Sequence, residues 1–596
     1  MTVYVAPVKD LMFVLEEVAG LDEIVALPGC EEVGIDLVSA VLEEASRLAE
    51  EVIAPLNKIC DQQGATYANY EVKTSPGFKN AYKQFAEGGW IGLTCDPDFG
   101  GQGLPHLLSI PVGELWNSAC TAFALCPMLT SGAIEAISHH ASDELKARYL
   151  PKMISGEWTG TMNLTEPNAG SDLAAVRTRA VPANDGSNSY LISGTKIFIT
   201  YGEHDYTDNI IHLVLARLPD APPGVKGISL FVVPKFLVNP DGSLGARNDA
   251  KCVSIEHKMG IHGSPTAVMA FGEETGAVGH LVGQANRGLE YMFTMMNNAR
   301  LSVGLEGVGI AERAYQQALG YAMDRIQGKV VGREGNLPIA FHPDVRRMLM
   351  TMRSQIEAMR ALVLVAAASL DKAARCADVA ERKRHQARID LLIPVAKAWC
   401  TEVANEIAYA GVQVHGGMGF IEETGAAQHQ RDARITTIYE GTTGIQANDL
   451  MGRKVARDGG EAANALILEM VATVEQARGV AELADLGDAL ASGVADLKSA
   501  TDWIVANYAS HTAATLMGSV HYLKLFGTVA GAWLLVRSSL AAQVKLVSGS
   551  GDASFCTQKI GTTRFYSDQV LPLTSSLLVM LKRGPSSLAA ADLALA

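Results

Sequence analysis

A chain of 596 residues with 48% apolar and 19% charged side chains is long enough for about four domain-sized units and too apolar to be disordered. Its 49 basic and 64 acidic residues leave a formal charge of −15, which excludes a general nucleic-acid or anionic-membrane binder, because both need a positive field. Nine cysteines stand singly with no CxxC pair, so we expect reduced thiols in a cytoplasmic protein, with neither a disulfide framework nor a metal site.

In chain order, residues 1–35 read as an N-terminal extension. Its first ten residues carry one lysine and no apolar stretch ahead of Glu16 and Glu17, so neither a secretory signal nor a transit peptide is expected. From 36 to 158 apolar positions recur at three and four, as in Val41, Leu42, Ala45, Leu48, Val52 and Ile53, which predicts a helical domain broken by a Gly-rich loop at 98–103. Between 159 and 288 short β-rich runs at 190–192, 196–200, 210–218, 228–233 and 267–271 predict a compact β-domain, barrel or sandwich. Residues 289–455 return to a helical pattern, with Val395, Trp399, Val403 and Ile407 on one apolar face, as in a bundle helix. The stretch 456–596 predicts a further helical domain, with Trp533, Leu534, Leu535 and Val536 among its apolar residues. Uncharged runs between Arg360 and Asp371 and between Lys524 and Arg537 fall short of the ~18 residues that span a bilayer, so no integral membrane segment is expected. The fold class is therefore mainly α with a central β-domain; alternating βα units, GxGxxG, Walker A, HExxH and GxSxG motifs do not occur.

Five segments carry chemistry. They are Met162-Asn163-Leu164-Thr165-Glu166-Pro167-Asn168-Ala169-Gly170-Ser171-Asp172, Gly194-Thr195-Lys196-Ile197-Phe198-Ile199-Thr200, Gln413-Val414-His415-Gly416-Gly417-Met418-Gly419-Phe420, Arg431-Asp432-Ala433-Arg434 and Ile438-Tyr439-Glu440-Gly441-Thr442. Together, and in this order, they resemble the flavin-dependent acyl-CoA dehydrogenase family over roughly 36–454. The resemblance implies that fold, with an α-helical domain, a β-barrel or sandwich and a four-helix bundle. It implies FAD as cofactor, an acyl-CoA substrate, an electron-transferring flavoprotein as acceptor, and a place in fatty-acid β-oxidation.

Position by position, the resemblance puts Met162, Leu164 and Thr165 against the flavin ring and Ser171 at flavin phosphate or the thioester ligand. Phe198 would give the ring an aromatic face and Thr200 a hydroxyl; many relatives have Trp in place of Phe198. Arg325 resembles the arginine that pairs with the flavin pyrophosphate of a neighbouring subunit, a task suited to the guanidinium fork. Gln413 and Gly417 match positions reaching the adenine half of a partner's flavin, and Thr442 follows as a further cofactor contact. Departures include His342-Pro343 where relatives often have His-Gln, and Gly444 where shorter relatives have Gln.

Glu440 is the expected base. Removal of an acidified α-proton calls for a carboxylate whose basicity desolvation has raised. In the family the thioester carbonyl is held by the backbone amide of this glutamate and by the flavin ribityl chain, which is oxyanion-type stabilisation. Tyr439 and Gly441 flank it as substrate contacts. Some relatives carry the base on an earlier helix just before an arginine; here that arginine is Arg300 and Ala299 precedes it, so the base stays at 440, with Arg300 ordering the substrate end.

The N-terminal extension and the added C-terminal helices resemble the longer branch of the family. That implies either 3-methylmercaptopropionyl-CoA or a medium- or long-chain straight acyl-CoA as substrate. It also implies a homodimer, in which the extra domain covers the face that shorter relatives bury in a dimer of dimers. An acyl-CoA oxidase using oxygen, and a non-catalytic flavin-binding, DNA-associated relative, are the alternative readings; the second would need a basic C-terminal face.

Overall fold

The computed structural model describes residues 3–183, 186 and 188–595, apart from the side chain at 297. Residues 1 and 2, at the head of the expected extension, lie outside the described residues. The chain divides into two compact units: Arg47–Pro105 with Ala119–Ala299, and Met1–Ser46 with His106–Ser118 and Arg300–Ala596.

The first unit holds the β-domain. Its strands are β1 (Trp158–Asn163), β2 (Arg179–Pro182), β3 (Tyr190–Thr200), β4 (Asn209–Arg217), β5 (Ile228–Pro234), β6 (Ala250–Ile255), β7 (Thr266–Phe271) and β8 (Ala277–Leu281). The first half of β3 pairs with β8 on one edge and β2 on the other. β8 pairs with β5, β5 with β4, and β4 meets β2 in parallel at Arg217 and Arg179. Five strands thus close a ring, and of the two expected forms the domain is a barrel. The second half of β3 leaves the ring to pair with β7, which carries β6, while β1 joins β4 in parallel.

Ile192, Val214, Ala216, Phe231 and Val233 form part of the barrel core. β5 is buried throughout and β4 nearly so, which is why both read as continuous apolar runs. The runs at 190–192 and 196–200 are one strand. Gly194 lets it pass Thr178 at a distance where a Cβ would sit 2.5 Å from Thr178 Oγ1. Inside the stretch expected to be helical lies a hairpin, Thr66–Ala68 with Glu71–Lys73, turned by Asn69 and Tyr70 at φ 52° and 67°.

The second unit is helical: α1 (Val8–Glu17), α2 (His106–His140, which the division cuts after Ser118), α3 (Gly288–Asp324, cut before Arg300), α4 (Pro343–Arg375), α5 (Val379–His415), α6 (Thr443–Asn448), α7 (Ser519–Ser548) and α8 (Ala553–Gln569). Asp371 of α4 caps α2, accepting from the His106 and Leu107 amides at 2.8 Å each. Asp378 caps α5 in the same way, through the Ala380 and Glu381 amides. The C-terminal helix α7 lies on α5 through Gly527, where a Cβ would fall 2.2 Å from Trp399 Cγ. Only glycine permits that approach of backbone to indole.

A buried ionic cluster gathers this unit. Arg360 of α4, 2% exposed, donates to Asp10 of α1 at 2.6 Å, Glu114 of α2 at 2.5 Å and Glu312 of α3 at 2.7 Å. Lys559 of α8 joins Asp10 at 2.5 Å to Glu357 of α4 at 2.9 Å. Burial pushes the Asp10 carboxyl up, but Lys559 and Arg360 outweigh it and hold that carboxyl well below the usual range. Burial wins at Glu114, which is raised despite Arg360.

The basis for expecting no membrane segment is corrected, while the expectation itself is not contradicted. Two helices, α2 and α7, are long and apolar enough to cross a membrane, with a mean hydropathy of 1.4 over their best windows. The stretch between Glu114 and Glu135 carries no charge and exceeds the runs on which the expectation rested. Both windows are 83% buried, so these are core helices, a distinction that length and composition alone do not make.

Arg360→Met leaves three carboxylates around an empty cation site and is expected to destabilise the fold by about 3–5 kcal/mol, read as a lowered denaturant midpoint.

Candidate active site

Within the β-domain, a loop and a bulge lie side by side. Past β1 the chain enters the segment 164–172, which β3 anchors from beneath. Lys196, fully buried, donates to the Leu164 carbonyl at 3.0 Å and to Glu166 Oε1 at 2.8 Å. Glu166 accepts three more hydrogen bonds, from the Arg177 amide at 2.7 Å, the Thr178 amide at 3.0 Å and the Thr178 hydroxyl at 2.6 Å. Burial pushes Glu166 up, yet Lys196 and these donors leave it below the ordinary carboxylate range. Burial also pulls Lys196 down to about 8. A further bond, from the Ile197 amide to the Thr165 carbonyl at 2.9 Å, completes the anchoring.

Alongside this loop the pairing of β3 with β7 slips. Lys196 faces Met269 while Ile199 faces Ala267, so β3 carries one extra residue between them. Phe198 takes φ 60° in that bulge and is 59% exposed. Bulges re-aim side chains at sheet edges and near active sites, and here a large aromatic ring is turned out of the sheet. Met162 and Leu164 are buried, Thr165 and Thr200 half-buried, and Ser171 lies exposed on the loop. Lys196 and its neighbours therefore bring Leu164, Thr165 and Phe198 to one place.

Within the helical unit, a separate loop carries Glu440. Glu440 and Gly441 follow one another at φ 53° and 92°, two left-handed residues that turn the chain into α6. A Cβ at Gly441 would lie 2.5 Å from Gln446 Nε2, which itself donates to the Glu440 carbonyl at 3.1 Å. Thr442 is exposed and its hydroxyl caps α6, accepting from the Ile445 amide at 3.3 Å. Lys397 of α5, fully buried, donates to the carbonyls of Thr436 and Gly441 at 2.7 Å each. The Tyr439 hydroxyl donates to Glu306 of α3, a carboxylic acid with no exposed surface. Arg300 of α3 is 9% exposed, not a surface arginine, and sits 4.0 Å from Asp449.

These neighbours set the chemistry of Glu440. Burial pushes its carboxyl above the usual value, while the charges of Arg300 and Lys397 pull it part of the way back. Burial pushes Glu306 up to about 8, more than Tyr439 and Lys397 lower it. A half-buried carboxylate raised in this way is a stronger base than one in water, and the two cations offset part of the rise.

The remaining expected positions lie at helix ends. Arg325 directly follows α3, is exposed, and donates to Gln327 Oε1 at 3.4 Å. Gln413 is exposed in the last turn of α5, and at Gly417 a Cβ would meet nothing within 4 Å. His415, between them, is a core residue stacked on Tyr321 at 4.5 Å. Among the described residues no group of three or more His, Cys, Asp or Glu could hold a metal ion.

The sequence reading missed Lys196, Glu166, Lys397, Glu306 and Gln446 as working residues. Two of them left a signal. Lys397 is a lone charge beside the apolar face of Val395, Trp399 and Val403, and Lys196 falls on a buried register of its strand. A charge in such a position is retained only with partners.

Comparison with known proteins gives the same picture. Residues 38–157 match the acyl-CoA dehydrogenase N-terminal domain, 161–273 the middle domain and 286–454 the C-terminal domain. Residues 466–592 match the acetyl-CoA dehydrogenase C-terminal-like family. The chain is 50% identical to 3-methylmercaptopropionyl-CoA dehydrogenase of Ruegeria pomeroyi, covering 95% of this chain and 96% of that one. It is 36% identical to a butyryl-CoA dehydrogenase of Syntrophomonas wolfei, covering 98% of each. The solved acyl-CoA dehydrogenase of Bacillus anthracis complexed with FAD shares the fold, with a TM-score of 0.74 at 21% identity over 96% of this chain and 91% of that one. With matching models along most of its length and relatives covered from end to end, the chain belongs to the acyl-CoA dehydrogenase family.

Proposed function

We propose that the protein is an FAD-dependent dehydrogenase that converts an acyl-CoA thioester to the 2-enoyl-CoA, with Glu440 as the base. The observation that carries this reading is the Glu440 carboxyl itself. It sits on a two-residue left-handed turn, raised in basicity by burial, with Arg300 and Lys397 offsetting part of the rise. Glu440 takes the α-proton of the acyl chain onto its carboxylate as the β-carbon gives up a hydride. Tyr439, held by its hydrogen bond to Glu306, flanks that proton transfer, and Arg300, 4.0 Å from Asp449, adds its charge. FAD, when bound, supplies the hydride acceptor.

The residues present fit a flavin. Phe198 is a large aromatic left exposed by a bulge, over a loop whose backbone is already anchored. Asn163 Oδ1, at the start of that loop, is buried with no hydrogen-bond partner among the described residues. Open space at Gly417 suits close approach of a ligand to backbone. The purified protein is expected to be yellow, and a colourless protein that FAD does not reconstitute overturns the reading. Glu440→Gln is expected to keep the flavin and slow its bleaching by acyl-CoA by about 10²–10⁴-fold, the usual worth of a positioned base. Bleaching at the wild-type rate removes Glu440 from the mechanism.

For the substrate, the 50% identity to the Ruegeria enzyme supports 3-methylmercaptopropionyl-CoA ahead of a medium- or long-chain acyl-CoA. Turnover across a panel of thioesters tests it, with an electron-transferring flavoprotein as the acceptor and peroxide yield as the mark of an oxidase. Nine cysteines with no CxxC pair among them suit the reducing cytoplasm.

The assembly we infer is a homodimer in which Arg325, Gln413 and Gly417 complete the partner's cofactor site. An apolar patch by the end of α5 supports it: Tyr409, Met418 and Phe420 are 60%, 47% and 85% exposed. Light scattering at micromolar concentration is expected to give a mass near two chains. A mass near four chains, or an active monomer, refutes it.

A further inference from the structure

Lys397 is a buried residue of the helical unit whose backbone hydrogen bonds the reaction scheme does not use. It lies inside α5 with no exposed surface, where an ammonium is retained only if it is well partnered. Its two hydrogen bonds go to backbone carbonyls, those of Thr436 and Gly441, at 2.7 Å each. These two residues bracket Tyr439 and Glu440. A single side chain therefore clamps the loop that carries the base on both sides of it, across a segment with two consecutive left-handed residues. Such a turn persists only where its surroundings over-determine it.

The same ammonium acts through its charge. The titratable and charged groups that interact with Glu440 among the described residues include Arg300 and Glu306 of α3, Lys397 of α5 and the neighbouring Tyr439. Arg300 is shared with Asp449 and feels Arg453, whereas Lys397 faces Glu440, Glu306, Arg300 and Glu402. Of the other two carboxyls, Glu306 is engaged by the Tyr439 hydroxyl and Glu402 by the Thr443 hydroxyl at 2.5 Å.

Resting on the reading of Glu440 as the base, we propose that Lys397 is a positioning residue for proton abstraction, a buried ammonium that straps the carbonyls of Thr436 and Gly441 and lends its charge to the Glu440 carboxylate between them. Lys397 touches neither substrate nor flavin in this role. It keeps the carboxylate where the turn places it, and Glu306 holds Tyr439 beside it. Burial draws the ammonium down to about 8, so it is charged over the neutral range in which the base works.

The sign of its effect is fixed. A positive charge favours the ionised carboxylate, so removing it raises the pH at which Glu440 loses its proton. The test is the pH profile of anaerobic flavin bleaching by an acyl-CoA, with flavin content read from visible absorbance. Lys397→Met is expected to retain flavin, to bleach at least about 10-fold more slowly and to move the acid limb upward by at least about 0.5 pH unit. Lys397→Gln removes the same charge while keeping an amide donor, and serves where the methionine variant does not fold. Lys397→Arg keeps the charge but not the two-carbonyl fit, so its acid limb is expected at the wild-type position with a reduced rate. An acid limb at the wild-type pH in a folded, flavin-loaded neutral variant overturns the proposal, as does an arginine variant displaced as far as the neutral ones. Glu440→Gln is measured in the same series. If that variant bleaches normally, it is the assignment of the base that fails, whatever the Lys397 variants do.

Discussion

Burial of the Arg360 guanidinium is the constraint on which the helical unit depends. A desolvated cation is costly unless carboxylates surround it with good geometry. Here those carboxylates come from α1, α2 and α3, while Lys559 brings α8 to the same point through Asp10. The N-terminal extension and the C-terminal helices are thereby parts of one unit with the bundle rather than appendages to it.

The same logic recurs on a smaller scale wherever a loop must be held. In the β-domain, Lys196 and Glu166 spend their hydrogen bonds on the backbone of the segment 164–178. In the helical unit, Lys397 spends its own on residues 436 and 441. Each lysine is wholly buried, and each ties a loop to a regular element that is rigid for other reasons. Loops positioned in this way are preorganised, so their chemistry does not have to wait for ordering.

The raised carboxyl of Glu440 follows from its place rather than from its type. Any glutamate would be pushed up by such burial. What distinguishes this one is that Arg300 and Lys397 return part of the shift, leaving a group that is both ionisable and basic. Glu306, a short way off with a hydroxyl for its partner, is pushed up to about 8. Both carboxyls are raised by burial, and each has its own set of neighbours that offsets part of the rise.

Much of this protein is legible without coordinates. The helix–β–helix order shows in the periodicity, the strands buried on both faces show as uninterrupted apolar runs, and the ordered motifs around Leu164, Phe198, Gln413 and Glu440 carry the family. Those features are local, and local spacing encodes them. The strands of mixed composition, the closure of the barrel through β2, and the burial of a 20-residue-scale apolar helix in a core are not local, since each depends on what lies across from it. The one-residue slip that turns Phe198 outward needs the partner strand to be visible at all. Glu306 reads in sequence as an ordinary charge, and Lys196 and Lys397 only as single charges on otherwise apolar registers. Only the tertiary structure decides that they are buried, because a charge acquires its partners, and with them its role, from residues far along the chain.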